Sequence, residues 1–323
     1  MHQNPHHHFQ FLLNKELTEM YITHSLRAFA VSMIAIFLPI YFLQQGFSFL
    51  QVILFFIINF TIQVFWYLTL SRLSLSLGIK HSMLISKPFL ILFFGSIYWL
   101  DSWRHLLPDM VILSILAIVF SNAMSWYWFA FHLDFANFSK ENDEGKEIGL
   151  LQALSTFFSV LGPLAGGLII THFSFQALFL VSIMIFITSV IPLFFSKDLI
   201  STNEFDVKKA LKMTTLPKKM IFMSEGSTIV STGIYWPLFL YLISISLSSL
   251  GFLFSITSLI LAIFSALVGR FSDLIDRHRL MRIGSYIHAI TLTLRTLVRS
   301  LFMIFSIQSL GALSYPLLSI PYN

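Results

Sequence analysis

Arg27 and Glu225 each sit inside a long apolar run, where an ionisable side chain is costly and therefore a candidate for function. A guanidinium and a carboxylate so placed can pair, hold a charged solute or pass a proton. Snorkelling to a polar boundary is the plainer alternative. Uncharged polar groups offer a second chemistry. Asn59 and Gln63 stand four residues apart with Trp66 nearby, and Asn122 and Trp126 repeat that spacing. On a helix each pair shares a face, so amides are presented beside aromatic rings that stack on a polar solute. Trp236, beside Pro237, belongs to the same group. Interhelical hydrogen bonding and interface anchoring use the same residue types.

Enzymatic and metal chemistry find little support. His24, His81, His105, His132, His172, His278 and His288 are dispersed, with no His-x-x-x-His pair for a di-iron centre, and His132 with Asp134 makes one isolated acid–base pair. No Walker A loop is present, which argues against ATP-driven work by this chain. His2, His6, His7 and His8 lie on a polar tail. No cofactor, metal or catalytic residue is expected, and the chain has no cysteine.

The elements that position these residues follow from composition. Hydrophobic residues make up 56% of the 323 and charged residues 11%, with a mean hydropathy of +0.81. Soluble domains run near a quarter charged, so the solvent for this chain is the bilayer. The 36 phenylalanines suit lipid-facing helices, and the net charge of +5 reads as loop cations that set orientation rather than as a nucleic-acid surface.

A hydrocarbon core of about 30 Å takes about 20 apolar residues per helix. Ten segments qualify: 21–44, 49–70, 82–100, 108–130, 148–171, 174–196, 220–244, 247–269, 280–298 and 300–320. With the amino terminus cytoplasmic, sixteen of the twenty Lys and Arg residues fall on that side, and only Arg104, Arg295 and Arg299 fall opposite. The chain divides into a tail (1–20), a six-helix half (21–196), a lysine-rich linker (197–219) and a four-helix half (220–323). The loops near Gly46, Thr171 and Ser246 are short and almost chargeless, which leaves no room for an external binding domain.

An internal repeat links the halves. The charged hairpin Gly269-Arg-Phe-Ser-Asp273-Leu-Ile-Asp276-Arg277-His-Arg279 lies 198 positions after a weaker copy, Ser71 to Lys80. The same offset carries Pro39 onto Pro237 and Arg27 onto Glu225. Both copies enter the membrane from one side, so the repeat is parallel. Carried onward, it sets Asn323 against Ser125, and the expectation is ten helices of a twelve-helix plan, with the second half incomplete.

The hairpin resembles the signature of the major facilitator superfamily between the second and third helices of each half, Gly-x-Leu-x-Asp-Arg-x-Gly-Arg-Lys. Gly269, Asp273, Arg277 and Arg279 match, with Asp276 at the second Gly; in the first half Gly78 and Lys80 match, with Leu75 at the Asp. The run from Asp134 to Gly149 is similar to the family's loop after the fourth helix, with Glu144 at the usual Arg. Gly162-Pro163-Leu164-Ala165-Gly166-Gly167 resembles the Gly-Pro-x-x-Gly-Gly signature of family antiporters.

The resemblance implies an all-helical bundle of two parallel pseudo-repeats that moves a small organic solute by alternating access. The hairpins would latch the cytoplasmic side, with efflux by proton antiport as the finer expectation. A non-transporting membrane scaffold, built on a transporter remnant, is the alternative. A solute, a proton and the lipid bilayer are the expected partners, in a bacterial plasma membrane.

Overall fold

The computed structural model describes residues 15–138, 144–195, 215–271 and 276–319, helical throughout and without a strand among them. The first half contains α1 (Lys15–Ala35), α2 (Leu38–Gln44), α3 (Phe49–Leu77), α4 (Ile79–Tyr98), a short α5 (Leu100–Trp103), α6 (Asp109–Phe138), α7 (Glu144–His172) and α8 (Phe175–Thr188). The second contains α9 (Leu216–Val230), α10 (Trp236–Leu242), α11 (Leu247–Phe271), α12 (Arg277–Leu294) and α13 (Leu301–Ser319).

All ten expected segments are helical, and eight helices are long and apolar enough to cross a membrane, making this an integral membrane protein. The other two segments fall short for chemical reasons. The run 220–244 breaks into α9, a π-helical turn at Ser231–Tyr235 and α10, while α12 carries Arg279, Arg282 and His288. The first helix also begins earlier than its apolar run, at Lys15, because Leu17, Met20 and Tyr21 are buried in a cluster with Ile79, Met83 and Tyr127.

The repeat is visible in the backbone. Leu38–Gln44 and Trp236–Leu242 are the same length, 198 positions apart, and the same offset relates the first residues of α3 and α11 and of α4 and α12. Pro39 and Pro237 each follow a helix interruption, since a proline removes one intrahelical bond and crowds the preceding turn. The ends of α2 and α10 close alike: Phe47 N–H donates to Phe42 O and Ile245 N–H to Leu240 O, both at 3.1 Å. This closure needs a left-handed residue, supplied by Gly46 at φ +84° and by Ser244 at +69°. Ser48 and Ser246 then cap the next helices, accepting from the amides of Gln51 and Ser249.

One part of the register shifts. Helices α6 and α13 begin 192 positions apart, so the last helix begins six residues earlier than a constant offset of 198 predicts. The connection from α4 to α6 carries α5 and a 3₁₀ turn, whereas that from α12 to α13 carries a 3₁₀ turn alone.

The first half packs around a phenylalanine core in which Phe93 lies 4.5 Å from Phe120, and Tyr41 4.9 Å from Phe179, between ring centroids. Burial of such rings, offset or edge to face, supplies both area and orientation. The two halves meet mainly along α7 and α11, and the Gly-Pro motif sits in that seam. A Cβ on Gly162 or Gly166 would strike Ser32 and Met33 of α1; one on Gly167 would come within 2.9 Å of Leu247 O, and one on Gly251 would strike Pro163 O. Small residues thus let α7 contact α1 on one side and α11 on the other. Pro163 bends α7, and the amide of Leu164 donates to Ser255 Oγ of α11 at 2.9 Å.

Candidate functional site

Two polar clusters stand out, one in each half. In the first, Arg27 of α1 is buried, with its guanidinium carbon 3.7 Å from the Tyr127 ring centroid and Nη2 3.3 Å from Met124 Sδ. Lys87 of α4 is also buried, with Nζ 5.1 Å from the same ring. His24 Nδ1 lies 3.2 Å from Tyr127 Oη. Two basic side chains therefore gather at one aromatic ring, and neither Arg27 Nη1 nor Lys87 Nζ has a hydrogen-bond partner.

Arg27 and Glu225 do not meet. Glu225, half-buried on α9, accepts from Tyr315 Oη of α13 at 3.4 Å, while Arg27 points into α6. Each is occupied within its own half. Two further carboxylates, Glu19 and Asp134, are buried within apolar spans. Lys80 and Lys87, whose charges count in the sequence only toward orientation, lie buried on α4.

The second cluster lines a cavity of about 310 Å³ between α9, α11, α12 and α13. Trp236 is part of its wall. Its Nε1 donates to Gln308 Oε1 at 3.1 Å, and Gln308 Nε2 donates to Thr257 Oγ1 at 2.9 Å. Arg295 places its guanidinium carbon 4.8 Å from the Trp236 ring centroid, and His288 Nδ1 lies 3.2 Å from Ser314 Oγ. The π turn contributes Thr232 and Gly233; such turns widen a helix locally and recur at functional sites. Tyr315, the partner of Glu225, also lines the cavity.

Of the residues singled out in the sequence, Trp236 alone is a wall of this cavity. Asn59, Asn122 and Trp126 are buried in the first half, where Asn122 Nδ2 donates to Ile118 O of its own helix at 2.8 Å. Gln63 is half-buried on α3. Gln308, Thr257, His288 and Arg295 were missed. The 198 offset would have found one of them, since it maps Asn59 onto Thr257.

The gating loops are partly described. Gly78 joins α3 to α4 at φ +99° and ψ 144°, a region open almost only to glycine. Asp276, its counterpart, solves the same turn differently: its Oδ1 accepts from the amide of His278 at 3.1 Å and caps α12. Lys80 forms a buried ion pair with Glu19 of α1 at 3.3 Å. Arg279 is exposed, and Gly269 lies in the last turns of α11. Asp273 and the side chain of Arg277 lie outside the described residues, as do the side chains from 135 to 150.

No protein-family model matches the sequence, and no curated protein matches it. Solved structures do. A D-xylose–proton symporter superposes with a TM-score of 0.67 at 11% identity, covering 96% of this chain and 82% of that one. A bacterial homologue of the human lysosomal transporter Spinster, solved in an inward-facing and occupied conformation, gives 0.61 at 13%, covering 99% and 74%. The chain therefore has the major facilitator fold, the helical bundle of two pseudo-repeats expected from its motifs.

Proposed function

We propose that this protein is a secondary active transporter that carries a small organic solute across a membrane by alternating access. The observation that carries this reading is a joint between the halves at one face, set beside a polar cavity. At the face opposite the amino terminus, Gln44 Nε2 donates to Tyr241 Oη at 3.0 Å, and the rings of Phe49 and Tyr235 lie 6.4 Å apart. The α7–α11 seam is also close toward the same end, where Gly167 meets Leu247 and Gly251. With the amino-terminal face in the cytoplasm, as the cation distribution favours, this arrangement is an inward-open state whose cavity belongs to the second half.

Counterflow in proteoliposomes tests the transport reading. Exchange of a labelled solute that depends on unlabelled solute inside is the expected result; its absence across sugars, amino acids, nucleosides and organic acids would favour the scaffold instead. Proton coupling is assigned to Glu225, which is bonded to the cavity wall through Tyr315, with His288 and Arg295 facing the same space. Glu225→Gln is expected to abolish accumulation driven by a pH gradient while leaving counterflow intact. Equal accumulation by wild type and variant would remove Glu225 from the coupling step.

A further inference from the structure

Arg295 lies at the end of α12 furthest from the amino-terminal face, yet its side chain runs along Trp236 into the cavity. Its Nε and Nη1 are shielded from solvent and have no hydrogen-bond partner. His288 Nε2 is in the same condition, with Nδ1 beside Ser314 Oγ. Among the described residues no carboxylate lines the cavity; Glu225 is bonded to its wall through Tyr315. Unmet donors are expensive in an apolar interior, and a fixed guanidinium fork matches a carboxylate in both geometry and charge.

The rest of the wall fits one end of such a ligand. Gln308 and Thr257 are committed to each other and to Trp236, so they shape the cavity more than they offer free donors. Phe254, Leu261, Ile229 and Ala312 supply apolar surface. At about 310 Å³, the cavity lies at the small end of ligand sites.

We infer that the cavity selects small organic monoanions, holding the carboxylate on Arg295 against the face of Trp236, with His288 as a second donor. This rests on the transport reading, and names the solute class for the same site. The neutral hydroxyls of a sugar would leave the guanidinium charge unanswered.

The test uses the full chain in nanodiscs and two pairs of isosteric probes, benzoate with benzamide and lactate with lactamide, with phenyl phosphate as a third arm. Each carboxylate is expected to bind about tenfold or more tightly than its amide, the scale of one charge-assisted hydrogen bond. Arg295→Gln should weaken carboxylate binding far more than amide binding and so remove that preference; Arg295→Lys should keep part of it. Equal affinity for acid and amide, equal loss of both in Arg295→Gln, preference for phenyl phosphate, or no binding by any probe would each overturn the assignment. Counterflow of a neutral solute alongside any of those results would leave transport standing and remove only the anion class. Carboxylate binding without flux of any solute would keep the site and sink the transport reading.

Discussion

Arg27 illustrates how a residue chosen for its cost can keep an unexpected setting. Its charge is buried against Tyr127, a contact worth about 2 kcal/mol when desolvated. The charge itself costs several kcal/mol to bury. Arg27→Met is therefore expected to leave the thermal midpoint unchanged or raised while transport falls at least tenfold. A loss of stability with transport intact would mark Arg27 as structural. Lys80 behaves oppositely, because its partner is present. Breaking the pair with Glu19→Gln should cost about 3–5 kcal/mol, and the exchange Glu19→Lys with Lys80→Glu should recover part of it; chemical denaturation in detergent measures both. The sequence marked Arg27, Lys80 and Trp236, because charge and aromatic type are local. It did not mark Glu19, which lies before the first apolar run, or Arg295, which reads as a loop cation. What each side chain reaches is set by packing between helices remote in sequence.

Among the elements, α7 shows what the glycine motif does. Its small residues are not evenly important: Gly162 and Gly166 serve α1, while Gly167 serves α11. Gly251→Ala drives a methyl into Pro163 O and is expected to lower both thermal stability and transport. Gly226→Ala on α9 meets nothing within 4 Å and should stabilise by about 0.5–1 kcal/mol through helix preference. Similar melting temperatures for the two variants would refute the seam. The existence of the helices was legible because apolar runs and paired prolines are written along the chain; the start of α1 was not, because burial rather than composition carries it back to Lys15. The breaks were less so. The π turn at Ser231–Tyr235 answers Pro237 within a longer helix, whereas Pro39 follows a simple turn, and nothing in the prolines themselves distinguishes the two outcomes.

At the scale of the whole molecule, the two halves are near copies in backbone and unlike in chemistry. One gathers basic side chains at an aromatic ring, and the other holds an open polar cavity. The repeat explains the shared turns at Gly46 and Ser244; the divergence sets the cavity around Trp236 in the second half. Because the chain has no cysteine, a pair introduced at Gln44 and Tyr241 can be bridged cleanly by a short thiol-reactive linker. Bridging is expected to stop transport and reduction of a cleavable linker to restore it. Undiminished transport in the bridged protein would show that this face does not open.

The bond from the Leu164 amide to Ser255 Oγ joins the main chain of one half to a side chain of the other, at a position where Pro163 has already loosened the helix. That amide is an isotope clock for the joint. Its protium is shielded while the seam is shut and exposed when the halves part, so deuterium uptake at this one residue follows how often the protein changes state. A ligand that favours one state should slow or speed that uptake without touching Leu164 at all.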